Sequence, residues 1–180
     1  MIKEEVILVN GNDEPVGVEG KMEAHQKGLL HRAFSIFIFD SRGRMLLQQR
    51  SSEKYHGGHL WTNACCSHPR PGENTLAAAE RRLFEELGFV TSLSKIFDFS
   101  YKVVFENGLT ENEYDHVYVG LYGEGINPDF DEVEDYCYKD VNEISNLLSK
   151  YPYNYTAWFH IAFPKVINWW NTNKSMVLAP

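Results

Sequence analysis

The chain is short of cysteine, of positive charge and of long apolar runs. Three cysteines in 180 residues make no disulfide framework and suit a reducing cytoplasm. No apolar run approaches the length needed to span a membrane. The N-terminal MIKEEVILVNGNDEP sets acids ahead of an apolar stretch of only four residues, Val6 to Val9, and is not read as a secretory signal. Lys and Arg number 17 against 25 Asp and Glu, a net charge of −8, which argues against a general nucleic-acid surface. An anionic ligand must then be met by a local group of cations. Lys21, Arg50, Lys54 and Arg82 are candidates, although each taken alone reads as solvated surface charge. Repeats, linkers and low-complexity segments are also absent, so residues 1–180 are expected to form one domain with a proper core.

What is present patterns as mixed α and β structure. VILVN (6–10) reads as a strand followed by the turn GNDEPVG, and HRAFSIFIFD (31–40) as a strand buried on both faces. MLLQQR (45–50) is expected to be its hairpin partner across SRGR. LWTNACCSH (60–68) reads as extended, and PRPGE as a loop. TLAAAERRLFEEL (75–87) is the clearest helix, capped by Asn74 or Thr75 and closed by Gly88. Its apolar face is read as Leu76, Ala79, Leu83 and Leu87, its polar side as Arg82, Glu85 and Glu86. Strands are expected near 97–105 and 113–122, an acidic loop over 124–136, and a helix from VNEISNLLSK. A C-terminal helix through AWFHIAFPKVINWW is expected to bend or break at Pro164. The order suggests an α+β fold, an α/β/α sandwich with a mixed sheet and extra N- and C-terminal elements.

Two stretches carry chemistry. TNACCSHP (62–69) puts two of the three cysteines side by side, two residues from a histidine. By itself this fits a metal clip, a strained disulfide, a nucleophile with its base, or packing. TENEYD (110–115) holds Glu111 and Glu113, which on a strand point to one face. Together with His25, His31 and His68 they make a possible ligand set for Mg²⁺, Mn²⁺ or Zn²⁺. Each histidine reads equally well as a surface or hydrogen-bonded residue, and His56, His59, His116 and His160 are read as just that.

The segment from Ser67 to Phe89 resembles the Nudix box, with Glu73, Arg81, Leu83, Glu85, Glu86, Gly88 and Phe89 in register. Carboxylates one turn apart on a helix can hold Mg²⁺, and Mg²⁺ bridges diphosphate oxygens. Ser67 replaces the first glycine, and Arg82 replaces the glutamate after the arginine. A base on that face suits holding a diphosphate intact better than hydrolysing it, with Arg82 contacting phosphate directly and Glu86 through Mg²⁺.

From about Val6 to Trp170 the sequence is similar to the type I isopentenyl diphosphate isomerases, a Nudix branch. The resemblance rests on TNACCSHP with Trp61 before it, on ENEYD, and on YTAWF (155–159), where Ala157 stands in place of a common proline. It implies a double-bond isomerase that converts isopentenyl to dimethylallyl diphosphate for isoprenoid biosynthesis. Cys66 and Glu113 are implied as the proton-transfer pair, with Tyr101 assisting and Trp158 stabilising a carbocation-like intermediate. His25, His31, His68, Glu111 and Glu113 are implied to bind a divalent metal. Glu86 and the backbone carbonyl of Cys66 are implied to bind Mg²⁺ that comes with the substrate. Lys21, Arg50, Lys54, Ser67 and Arg82 are implied to meet the diphosphate. The implied partner is a small molecule, with no nucleic acid or membrane, in a cytoplasmic monomer or weak dimer. A Nudix hydrolase cleaving a diphosphate is the alternative. On an extended strand Cys66 and His68 share one face, which leaves Cys65 as packing on the other.

Overall fold

A computed structural model describes residues 4–179. Strand β3 (His31–Phe39) is the central element, with every residue but Arg32 buried. Such a strand must be covered on both sides, and it is paired to several neighbours. β8 (Thr110–Leu121) runs parallel to it over its whole length, from His31↔Glu113 to Phe39↔Leu121. β6 (Cys65–Ser67) and β1 (Glu5–Val9) pair antiparallel to it, at Ser35↔Cys66 and Leu8↔His31. β7 (Leu93–Val104) extends the sheet beyond β8, and β2 (Pro15–Gly20) beyond β1. β4 (Met45–Arg50) touches β3 only at Phe39↔Met45, then pairs with β5 (Trp61–Asn63) and β9 (Val133–Lys139).

Alternation along the strands sorts side chains between two cores. Phe34, Ile36 and Ile38 pack with Leu46, Cys65 and the apolar face of α2 (Thr75–Leu87), namely Ala78, Ala79, Leu83 and Leu87. Phe37 and Phe39 pack on the other side with Val117, Val119, α3 (Val141–Lys150) and α4 (Ala157–Val177). There Phe39 stacks on Trp170 with ring centroids 3.6 Å apart. The expected α/β/α sandwich is therefore present. No helix among the described residues is long and apolar enough to cross a membrane.

Several local expectations need correction. The 45–50 segment is not a hairpin partner along its length, because the turn at Gly43 (φ 77°) lets β4 diverge towards β5 and β9. The segment after VILVN contains β2 as well as a turn, and helix α1 (Lys21–Lys27) follows it. Leu76 lies at the exposed start of α2, while Glu86 from its expected polar side is buried. The last residues of the acidic loop belong to β9. Pro164 lies inside an uninterrupted α4.

Asn74 caps α2, accepting from the backbone of Leu76 and Ala77, and Gly88 closes it at φ 73°. A Cβ on Gly88 would sit 2.4 Å from the carbonyl oxygen of Asn127. Gly72 also has a positive φ, 79°, but open space around it. Gly72→Ala should therefore cost about 1–2 kcal/mol in urea unfolding, from left-handed backbone strain alone. Gly88→Ala should cost clearly more, and equal losses would contradict the packing described.

Candidate active site

The polar site occupies the end of the sheet face whose remainder packs on α4. His31 begins β3, and its register partner across the parallel ladder is Glu113. Glu111, two residues earlier on β8, shares that face. Cys66 pairs with Ser35 on the opposite side of β3, so Cys66 and Glu113 flank the same strand. Cys65 pairs with Ile36 and joins the α2-side core, as expected for the packing member of the pair. His68 follows β6, and α1, ended by Gly28 in the left-handed region, brings in His25.

One ligand atom from each of His25, His31, His68, Glu111 and Glu113 lies within 4.8 Å of the others. All five residues are buried or nearly so. His25 Nδ1 lies 2.6 Å from the Lys21 carbonyl oxygen and His31 Nδ1 2.8 Å from that of Leu29. A carbonyl only accepts, so both Nδ1 atoms carry protons and both Nε2 atoms are left to act as ligands. His31 Nε2 and His68 Nε2 are 3.2 Å apart, and His68 Nε2 is 2.8 Å from Glu113 Oε1. Converging lone pairs beside two buried carboxylates repel each other unless a cation or protons sit among them. The donor set of three imidazoles and two carboxylates fits a divalent metal.

Burial pushes Glu111 up, but His25 and His56 beside it hold it well below the usual carboxylate range. Glu113 is raised by burial and by Glu111, yet His31 and His68 bring it below its ordinary value. Burial holds His68 down at about 4, a neutral imidazole at neutral pH. For His25 burial works downward, and Glu111, the Lys21 carbonyl and Glu113 together outweigh it to leave a raised value. Tyr101 donates to Glu113 Oε2 at 2.6 Å, and its own proton is held far more tightly than an ordinary phenol's, first by burial and then by Glu113. Burial, reinforced by the nearby Asp115 carboxyl, pushes the Cys66 thiol up to about 12, while hydrogen bonds to Ser35 and Asn63 work the other way.

Lys21, Arg50, Lys54 and Arg82, dispersed in sequence, line one pocket together with Ser67, Glu86, Tyr101 and Trp158. Arg82 Nη2 lies 2.6 Å from Glu86 Oε1, and Glu86 Oε2 accepts from Gln48 at 3.0 Å. Arg82 and Lys54 also share Glu132, a residue that sequence reading left inside an undifferentiated acidic loop. Arg81 bridges Glu73 and Glu85 away from the pocket, so the matched box splits into a structural half and a pocket half. Trp158 is 4% exposed, donates from Nε1 to Thr62 Oγ1 and carries the Arg50 guanidinium 5.0 Å from its ring centroid. His59, His116 and His160 pair with Glu134, Asp13 and the Pro152 carbonyl, within the reading given them. His56 does not fit that reading: it is buried, at the edge of the metal-type cluster, with Nε2 2.6 Å from Glu111 Oε1. Its surroundings in sequence, KYHGGH, held no periodic signal that could have placed it.

Residues 29–159 match the NUDIX domain model. The chain is 49% identical over 173 residues to an isopentenyl-diphosphate Delta-isomerase of Pectobacterium atrosepticum, covering 95% of this chain and 96% of that protein. It is 47% identical to a Serratia proteamaculans protein of the same name, covering 87% of each. Among solved structures, a MutT protein of Methanosarcina mazei is similar with TM-score 0.63 at 16% identity, over 76% of this chain and 91% of that one. An Ap4A hydrolase of C. elegans is similar with TM-score 0.57 at 17% identity, over 78% and 98%. These last two likenesses bear on the fold alone.

A thiol held near pH 12 stays protonated where a free cysteine, with a pKa of about 8.5, is half ionised. Alkylation of Cys66 by iodoacetamide in the chelated protein should therefore keep rising about tenfold per pH unit from 8 to 10. Peptide mass mapping reads the rate at this position, and levelling off by pH 9 would contradict the buried-thiol geometry.

Proposed function

The chain belongs to the NUDIX family and, within it, to the isopentenyl-diphosphate Delta-isomerases; from that premise we propose how its pocket moves a double bond. The substrate is isopentenyl diphosphate and the product dimethylallyl diphosphate, a step that serves isoprenoid biosynthesis. The observation that carries the reading is convergence: a thiol and a carboxylate flank β3 in the same pocket as four cations and a tryptophan.

Isomerisation adds a proton to the terminal alkene carbon and removes one from the allylic carbon beside the same centre. Cys66 and Glu113 are the pair that exchanges these protons, one giving and the other taking, with the roles reversed in the back reaction. Tyr101 assists by holding Glu113 in place, since its hydroxyl donates a hydrogen bond to Oε2. The positive charge that builds at the tertiary carbon needs a dry site and an electron-rich face. Trp158, Tyr101 and Glu113 are each at least nine-tenths buried, which keeps water out. The indole face of Trp158 would stabilise the cation by roughly 2 kcal/mol when desolvated.

Lys21, Arg50, Lys54, Ser67 and Arg82 hold the diphosphate, which anchors the reacting end between the pair. His25, His31, His68, Glu111 and Glu113 would hold a divalent ion, Mn²⁺, Mg²⁺ or Zn²⁺. Glu86 and the Cys66 backbone carbonyl would hold Mg²⁺ that arrives with the substrate. When bound, such ions supply positive charge that orients Glu113 and neutralises the diphosphate. Arg82 speaks against hydrolysis. It pairs with Glu86 on the face where a hydrolase of this superfamily keeps a further carboxylate. We take residues 1–180 to work as a single cytoplasmic isomerase domain, a monomer or weak dimer.

Incubation with isopentenyl diphosphate and Mg²⁺, followed by NMR, should give dimethylallyl diphosphate with no phosphate released. Release of phosphate or pyrophosphate in its place would make the protein a diphosphate hydrolase instead. Cys66→Ala and Glu113→Gln should each lower turnover by about a thousandfold or more while substrate still binds. Cys65→Ala should stay within about twofold of the parent by comparison with those losses, and a Cys65 variant as inactive as the Cys66 one would overturn the assignment within the pair.

A further inference from the structure

His56 is the one pocket histidine that neither the five-membered ligand set nor the proton-transfer pair uses. It sits in the 51–60 loop between β4 and β5 and is 7% exposed. Its ring stacks on Phe105 of the β7–β8 turn, centroids 4.9 Å apart and planes at 15°. Trp158 meets it edge-on at 5.6 Å, and Tyr55 at 4.4 Å. Its backbone carbonyl accepts from Arg50 Nη2 at 3.1 Å, and that of Gly57 accepts from Arg50 Nε at 3.2 Å. The ring is therefore fixed from three sides, while its backbone is fixed by a residue of the diphosphate group.

One polar contact remains to it. His56 Nε2 is 2.6 Å from Glu111 Oε1, an approach that is close but skewed, since neither ring nitrogen makes an aligned hydrogen bond. The other oxygen, Oε2, lies 3.1 Å from His25 Nε2 and so faces the ligand cluster. Glu111 is thus approached at one oxygen from outside the cluster and presents the other inward. A carboxylate free to rotate spends part of its time in geometries that an ion cannot use. A donor that holds its outer oxygen removes that freedom, and partners of this kind strengthen metal binding by about ten- to a hundredfold.

We propose that His56 is a positioning residue that holds the outer oxygen of Glu111, so that the inner oxygen is presented singly to a divalent ion. It also ties that ligand to the loop that wraps Arg50. This rests on the reading of His25, His31, His68, Glu111 and Glu113 as a metal site, and adds a residue outside that set.

The test is Mn²⁺ affinity, read from the free-ion EPR signal, with unfolding of the chelated protein in urea as the check on fold. His56→Phe keeps the stack on Phe105 and removes the nitrogen. It should bind Mn²⁺ about ten- to a hundredfold more weakly than the parent, while still unfolding in urea in one cooperative transition. His56→Gln restores an N–H donor and should recover most of that loss. A Phe variant that binds as the parent does overturns the proposal, as does a Gln variant no better than Phe. If the Phe chain does not fold, His56→Met replaces it in the same comparison with Gln. A parent protein that leaves all Mn²⁺ free sinks the metal reading and this inference together. A parent that binds beside an indifferent His56 variant sinks this inference alone.

Discussion

Two carboxylates and three imidazoles share a space from which water is nearly excluded, and much of the architecture serves that arrangement. Glu111 and Glu113 are 3% and 8% exposed, a placement that costs several kcal/mol per charge unless it is compensated. The compensation comes from elements far apart in sequence. α1 delivers His25, the start of β3 delivers His31, the end of β6 delivers His68, and the parallel β3–β8 ladder sets Glu113 opposite His31. Shifting that ladder by one residue would turn Glu111, Glu113 and Asp115 into the α2-side core. The apolar continuation of the same face, Phe37, Phe39, Val117 and Val119 against α4, is what holds the register.

The cationic end of the pocket follows a different logic. A protein with a net charge of −8 gathers four cations from four places around one pocket. Two of them, Lys54 and Arg82, are held by the same Glu132, so the cluster is preorganised before any ligand arrives. The Arg82 side chain is mostly buried; burial opposes its charge, and Glu86 with the other acids around it, Glu132 and Glu85, outweighs burial to leave its proton held more tightly than usual. The result is a concentration of positive charge in the same pocket as Cys66 and Glu113.

Much of this was legible in the sequence, for identifiable reasons. Helix α2 carried a cap, a closing glycine and a superfamily motif, and strand alternation in TENEYD and ACCSH decided which side chains share a face. The corrections cluster where local pattern says little. Divergence of β4 from β3 depends on which strand wins its hydrogen bonds, a tertiary matter. Glu86 reads as a polar-face residue by helical spacing, but β4 places Gln48 against it and buries it. Glu132 and His56 sit in irregular segments, where neither period applies and only the folded structure shows what they touch. Trp158 reads as ordinary aromatic packing without the family resemblance, and its partners, Thr62 and Arg50, lie about a hundred residues away in sequence.

Everything proposed for the pocket turns on the buried histidine–carboxylate cluster holding a metal ion through those five side chains. X-ray absorption at the manganese edge of the Mn²⁺-loaded protein reads that coordination sphere directly. Scattering from three imidazole rings together with carboxylate oxygens is expected. A sphere made only of oxygen ligands, with no imidazole scattering, would contradict it.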